Sequence, residues 1–91
     1  MNKSELITSI SEKSGLTKKD AEVALKAFIE TVEETLENGD KVQLIGFGTF
    51  ETRKRAARMG RNPRTKEEIE IPESTVPVFK PGKEFKDRVN K

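Results

Sequence analysis

Between Arg53 and Lys66 the chain reads RKRAARMGRNPRTK, with seven basic side chains (Arg53, Lys54, Arg55, Arg58, Arg61, Arg64 and Lys66) and no acidic one. Guanidinium and ammonium groups at this density offer charge-assisted hydrogen bonds to phosphate oxygens, which points to a nucleic-acid backbone as partner. At the centre stands Gly60-Arg61-Asn62-Pro63. Asn followed by Pro is ordinary turn chemistry, because the amide side chain bonds the backbone ahead and the ring presets φ. The same ring is also a small apolar wedge set among cations, of the kind that enters a base stack from the minor groove. Composition alone also admits a plainer reading, a solvated and disordered charge run.

A second basic group, Lys80, Lys83, Lys86 and Arg88, lies near the C-terminus. It reads equally as an exposed helix face. Lys83 and Lys3 each stand near an expected helix start, where free backbone N–H groups also attract phosphate. The chain has no His and no Cys. Transition-metal binding and His- or Cys-based catalysis therefore have no groups to use. No enzyme activity, cofactor, metal or small-molecule substrate is expected. Glu30, Glu33, Glu34 and Glu37 read as the solvated face of a helix rather than a metal site. Phe47, Phe50 and Phe79 are possible stacking platforms for single-stranded bases. Their expected strand positions, in a chain with few large side chains, favour the core.

The elements that must position these groups are small. The chain has 91 residues, 32% hydrophobic and 37% charged, so one domain with a thin core is expected. Neither disulfides nor zinc are available as staples, which leaves oligomerisation as the common remedy and a dimer as the expectation. Charge is polarised: residues 1–40 hold five basic against nine acidic groups, and residues 41–91 hold thirteen against seven. No apolar run is long enough for a membrane span, and no signal-peptide core opens the chain, so a cytoplasmic location is expected.

Asn2 with Glu5 forms a candidate N-cap, and Leu6, Ile7 and Ile10 recur at helical spacing up to Gly15, which suits a left-handed C-cap. Thr17 with Asp20 starts a second helix, and Ala21 through Leu36 supply an amphipathic stripe of about five turns. Asn38-Gly39-Asp40 ends it. Val42 and Leu44 alternate as a strand, Gly46-Phe47-Gly48 permits a reversal, and Thr49–Thr52 continue as a second strand into the basic segment. Ile69 and Ile71 alternate again, and Val76–Lys80 return. Pro72 and Pro77 argue for edge or bulge positions. Phe85 and Val89 suit a short final helix. A hairpin over residues 52–76 turning near Pro63 reaches roughly 40 Å at about 3.3 Å per residue, and without a buried face it is mobile when free. Strict alternation puts Arg53 and Arg55 on one face and Lys54 and Arg58 on the other. A single basic face then needs twist or a bulge.

The two leading helices also invite a helix-turn-helix reading. Residues 18–37 carry three lysines against six acidic groups, a poor match for a groove walled by phosphate. An apolar face building a dimer fits better.

The order helix, helix, strand, GFGTF (46–50), basic arm, GRNPRT (60–65), Pro77-Val78-Phe79-Lys80 and Gly82-Lys83 resembles the bacterial histone-like HU/IHF family, closer to HU because nothing extends past the last helix. The likeness covers essentially the whole chain. It implies an α+β fold in an intertwined homodimer: two N-terminal helices, a three-stranded antiparallel sheet with a long β-ribbon arm, and a short C-terminal helix. The corresponding parts are a helical dimerisation base (1–40), a sheet saddle (41–52 and 76–81), the DNA-binding arm (53–75) and the C-terminal helix (82–91). It implies double-stranded DNA as partner, bent, nicked or otherwise distorted forms being preferred, and a nucleoid-associated role in DNA bending and compaction without sequence specificity. HU and IHF are themselves standard examples of minor-groove binders that insert apolar wedges. The implied DNA-binding residues are Lys3, Arg53, Arg55, Arg58, Arg61, Asn62, Pro63, Arg64, Lys66, Lys80, Lys83 and Lys86, with Pro63 as intercalating wedge. A sequence-preferring IHF-like bender and an RNA-binding or structural interaction protein stand as alternatives. The chain departs from the HU pattern in carrying Lys66 where glycine is common and Thr75 where lysine is common.

Overall fold

The computed structural model describes residues 1–90. The chain divides into two compact units, Met1–Thr35 and Leu36–Lys91.

In the first unit, Asn2 caps α1 (Lys3–Ser14) by accepting the Glu5 N–H on its side-chain oxygen at 2.9 Å. Gly15 closes the helix at φ 79°, its N–H donating to the Ser11 carbonyl at 3.1 Å. Few non-glycine residues adopt that left-handed conformation without cost. Thr17 Oγ1 accepts the Asp20 N–H at 3.1 Å and starts α2 (Lys18–Glu37). Both caps fall where the sequence puts them. The apolar stripe of α2 is only partly covered: Ala21 is fully buried, whereas Phe28 and Ile29 are 42% and 43% exposed.

In the second unit β1 (Val42–Leu44), β2 (Gly48–Arg55) and β5 (Ser74–Pro81) form a three-stranded antiparallel sheet in the order β1-β2-β5. Pro77 sits in the edge strand β5, where a missing N–H costs no ladder bond on the open side. Gly48 is required at the β1–β2 reversal. A Cβ there would lie 2.6 Å from the Lys80 carbonyl oxygen and 2.5 Å from the Phe79 ring. Phe47, Phe50, Phe79 and Phe85 pack as one cluster with ring centroids 4.8–6.2 Å apart, Phe47 and Phe85 stacked at 4.9 Å. The three phenylalanines expected in the core thus join one ring cluster, with Phe85 added from α3 (Lys83–Val89); Phe50 and Phe79 are half-buried in it, whereas Phe47 stays 44% exposed. The Gly82 N–H donates to the Phe47 carbonyl at 2.8 Å and ties the start of α3 to the β1–β2 turn.

Beyond Arg55 and Ser74 the hairpin continues as a separate two-stranded ribbon, β3 (Arg58–Arg61) with β4 (Glu68–Ile71). The regular sheet reaches Arg55↔Ser74, three residues further along β2 and two further back along β5 than the saddle boundaries expected at 52 and 76. The ladder then breaks at Ala56-Ala57 opposite Pro72-Glu73 and resumes at Arg58↔Ile71. Each leg spends two residues on the break, so the register is unchanged from Gly48↔Pro81 to Arg61↔Glu68. A bulge would insert an extra residue on one side. Of the edge or bulge positions expected for Pro72, the bulge is not found: Pro72 lies in an interruption without register shift, at a residue with no N–H to donate.

Candidate nucleic-acid interface

The distal ribbon has almost no interior. Only Gly60 and Ile71 are half-buried, and every other residue of β3 and β4 is exposed. Ile71 and Ile69 lie over Gly60, where a Cβ would meet Ile71 Cδ1 at 2.7 Å. Side chains alternate across the ribbon. One face therefore carries Arg58 and Gly60 with Ile71 and Ile69, and the other carries Met59 and Arg61 with Glu70 and Glu68. The basic leg is thus paired with an acidic one, and the acids of β4 share a single face.

Nearer the sheet, Arg53 and Arg55 share a face with their partners Val76 and Ser74, while Lys54 lies opposite Thr75 on the other. Lys54 Nζ stands 3.8 Å from Glu73 Oε1, and Lys80 Nζ 3.5 Å from Glu51 Oε1. These are the ion pairs among the described residues. Arg53, Arg55, Arg58, Arg61, Arg64 and Lys66 are all exposed and have no carboxylate in pairing distance there. Their charge is available to an anion from outside, whereas that of Lys80 is shared with Glu51.

Residues 62–67 close the ribbon. The Asn62 N–H donates to the Glu67 carbonyl at 2.8 Å, and the Asn62 carbonyl accepts from the Lys66 N–H at 2.7 Å. Asn62 Oδ1 accepts the Arg64 N–H at 2.9 Å. Pro63 sits exposed at the crest between them. Lys66, where the HU pattern favours glycine, has φ 60°. The left-handed conformation explains that preference, since only glycine enters it without a Cβ clash.

The other predicted cations are dispersed. Lys83 and Lys86 are exposed on α3. Lys3 lines an open groove of about 600 Å³ in the helical unit together with Ile7, Thr8, Lys18, Lys19 and Glu22. Lys18 and Lys19, which are not among the cations expected from the sequence, share that groove with Lys3. The net negative charge of α2 masks them, although two lysines directly after the Thr17 cap were a usable signal. Among the described residues no cluster of acidic side chains is arranged to hold a metal ion, and no helix is long and apolar enough to cross a membrane.

A short α+β chain whose exposed cations line a two-stranded ribbon around a proline turn defines a class of small basic ribbon-arm proteins. Residues 1–90 match the family model described as "Bacterial DNA-binding protein", and the chain belongs to that family. It is 79% identical over 91 residues to the DNA-binding protein HU of Clostridium pasteurianum, covering 100% of both chains. It is 63% identical over 89 residues to that of Geobacillus stearothermophilus, covering 98% of this chain and 99% of the relative. Among solved structures it is similar to HU in an Anabaena HU–DNA cocrystal, with TM-score 0.93, 52% identity and coverage of 98% and 97%. HU from Thermotoga maritima matches with TM-score 0.70, 38% identity and coverage of 98% of each chain.

Proposed function

We propose that this chain is an architectural DNA-binding protein of the nucleoid. It binds double-stranded DNA without reading base sequence and bends it. The observation that carries this reading is the ribbon arm, whose exposed, unpaired arginines flank a proline held at its tip. Arginine suits the narrow, electronegative minor groove, and backbone contacts carry no sequence information directly. Arg53, Arg55, Arg58, Arg61, Arg64 and Lys66 supply the arm contacts. In the distal ribbon Arg58 contacts DNA from the acid-free face with Ile69 and Ile71, and Arg61 from the face it shares with Glu68 and Glu70. Lys3 with Lys18 and Lys19, and Lys83 with Lys86 and a partly neutralised Lys80, bind DNA outside the arm. Pro63 enters the base stack. Unstacking a step costs a few kcal/mol, which favours DNA already nicked or kinked.

The working unit is a homodimer. Ala21 and Leu36 are the buried hydrophobic side chains of the described chain, while Val23, Ile29, Leu44 and Phe47 stay at least a third exposed. Apolar side chains left open in this way are covered by a second copy. Sedimentation equilibrium is expected to give twice the chain mass at micromolar protein, and a monomer there would remove the dimer from the reading.

The function is tested by gel shift on intact, nicked and four-way-junction DNA across a salt series, with tRNA as competitor. Tighter binding to the distorted forms and a steep salt dependence are expected, with tRNA a weak competitor. Equal affinity for all three DNAs, or efficient displacement by tRNA, contradicts the proposal.

A further inference from the structure

We propose that Asn62 is a positioning residue for Pro63, and that the tip uses its side-chain oxygen rather than its amide NH2. The inference rests on the reading of Pro63 as a wedge. Asn62 is joined to the loop three times: its N–H to Glu67, its carbonyl to Lys66 and its Oδ1 to Arg64. The last bond brackets the proline, running from the residue after it to the residue before it. Pro63 has no N–H of its own to fix the turn. The other side-chain bond in the loop, from the Glu67 N–H to Thr65 Oγ1, is longer at 3.3 Å and does not span the ring.

Asn62 is half-buried, whereas Pro63, Arg64, Thr65 and Lys66 are exposed. The loop has no apolar packing to hold its shape, so these few hydrogen bonds set the angle at which the ring is presented. The amide Nδ2 has no bond among the described residues. Oxygen and nitrogen of this side chain thus have separable roles. The oxygen serves the turn, and only the nitrogen is left to reach a base or phosphate.

Asn62→Asp separates the two. Aspartate keeps the acceptor that the turn needs and loses the donor that a DNA contact would need, and its charge weakens binding to any duplex. The readout is therefore the ratio of affinities for nicked and intact duplex, measured at one salt concentration on the full-length protein. Asn62→Ala is expected to lower that ratio about 3- to 10-fold, the value of one hydrogen bond. Asn62→Asp is expected to stay within about twofold of the parent ratio, since its turn bond is kept. In the free protein the Arg64 amide NMR resonance moves in the alanine variant and stays near its place in the aspartate variant.

Pro63→Ala, measured beside them, tells two failures apart. If Pro63→Ala lowers the ratio and Asn62→Ala does not, the wedge stands and the positioning role is overturned. If Asn62→Asp falls as far as Asn62→Ala, the NH2 group contacts DNA and the role is again overturned. If Pro63→Ala leaves the ratio unchanged, the wedge reading fails and this inference falls with it.

Discussion

The same hairpin is built in two ways along its length. Between Gly48↔Pro81 and Arg55↔Ser74 it belongs to a three-stranded sheet backed by four phenylalanines. From Arg58↔Ile71 to Arg61↔Glu68 it is a bare ribbon with two half-buried residues. The register is common to both, so the difference lies in what the strands pack against. Two strands without a buried face are marginal in water. The near part therefore carries stability, and the far part is free to take its final shape on a ligand.

The largest effect that sharpens this contrast is expected from Phe79→Ala. Phe79 touches Phe47, Phe50 and Phe85, and truncating a packed phenylalanine costs about 3 kcal/mol or more. Urea denaturation should show that loss. A change below about 0.5 kcal/mol would mean that the cluster does not hold the sheet. The paired variant in the far part, Arg58→Ala with Arg61→Ala, should leave the denaturation midpoint alone. If each arginine neutralises one phosphate, it should flatten the slope of log K against log salt by about 1.8. A lowered midpoint with an unchanged slope would reverse the assignment of the two regions.

Amide relaxation gives a second comparison. Order parameters of about 0.85 are expected in α2, and below about 0.6 from Met59 to Lys66 without DNA. Equal values in both would contradict a ribbon that orders on binding. The smallest effect is expected from Lys66→Gly. Relieving a left-handed lysine stabilises the tip by about 1 kcal/mol. The lost charge reduces the salt slope by at most about 0.9. A rise in tip order parameters with little change in affinity is the expected result, and a fall in order would show that Lys66 does more than occupy the turn.

Sequence legibility follows the same division between local and long-range causes. The caps at Asn2, Gly15 and Thr17, the glycine reversal before Gly48 and the turn at Pro63 are set by neighbours a few residues away, and each is readable from residue type and spacing. The interruption at Ala56-Ala57 opposite Pro72-Glu73 is different, because it depends on which residues meet across the hairpin. Proline in one leg signals a defect but does not say whether the opposite leg adds a residue or matches it. The charges show the same limit. The seven cations of the basic leg are visible as a run. Register is needed to show that Glu68 and Glu70 share the face of Arg61 and leave Arg58 on the acid-free side. Lys18 and Lys19 are hidden in an acidic helix, and only their place on the groove with Lys3 brings them forward. The left-handed backbone at Lys66 has no local signal in this chain, since the residue there is not the glycine that would announce it.

The central claim, that folding resides in the near part and the preference for distorted DNA in the far part, is tested most directly by removing the far part. Because Arg55 and Ser74 are direct partners, a two-residue Asn-Gly turn can join them and leave the sheet register intact. The shortened chain should keep the parent's denaturation midpoint within about 0.5 kcal/mol, keep its oligomeric mass, lose most of its preference for nicked over intact duplex, and flatten the slope of log K against log salt by about 3.6 through the loss of Arg58, Arg61, Arg64 and Lys66. A shortened chain that unfolds, or one that keeps the parent's preference for nicked duplex, contradicts the account.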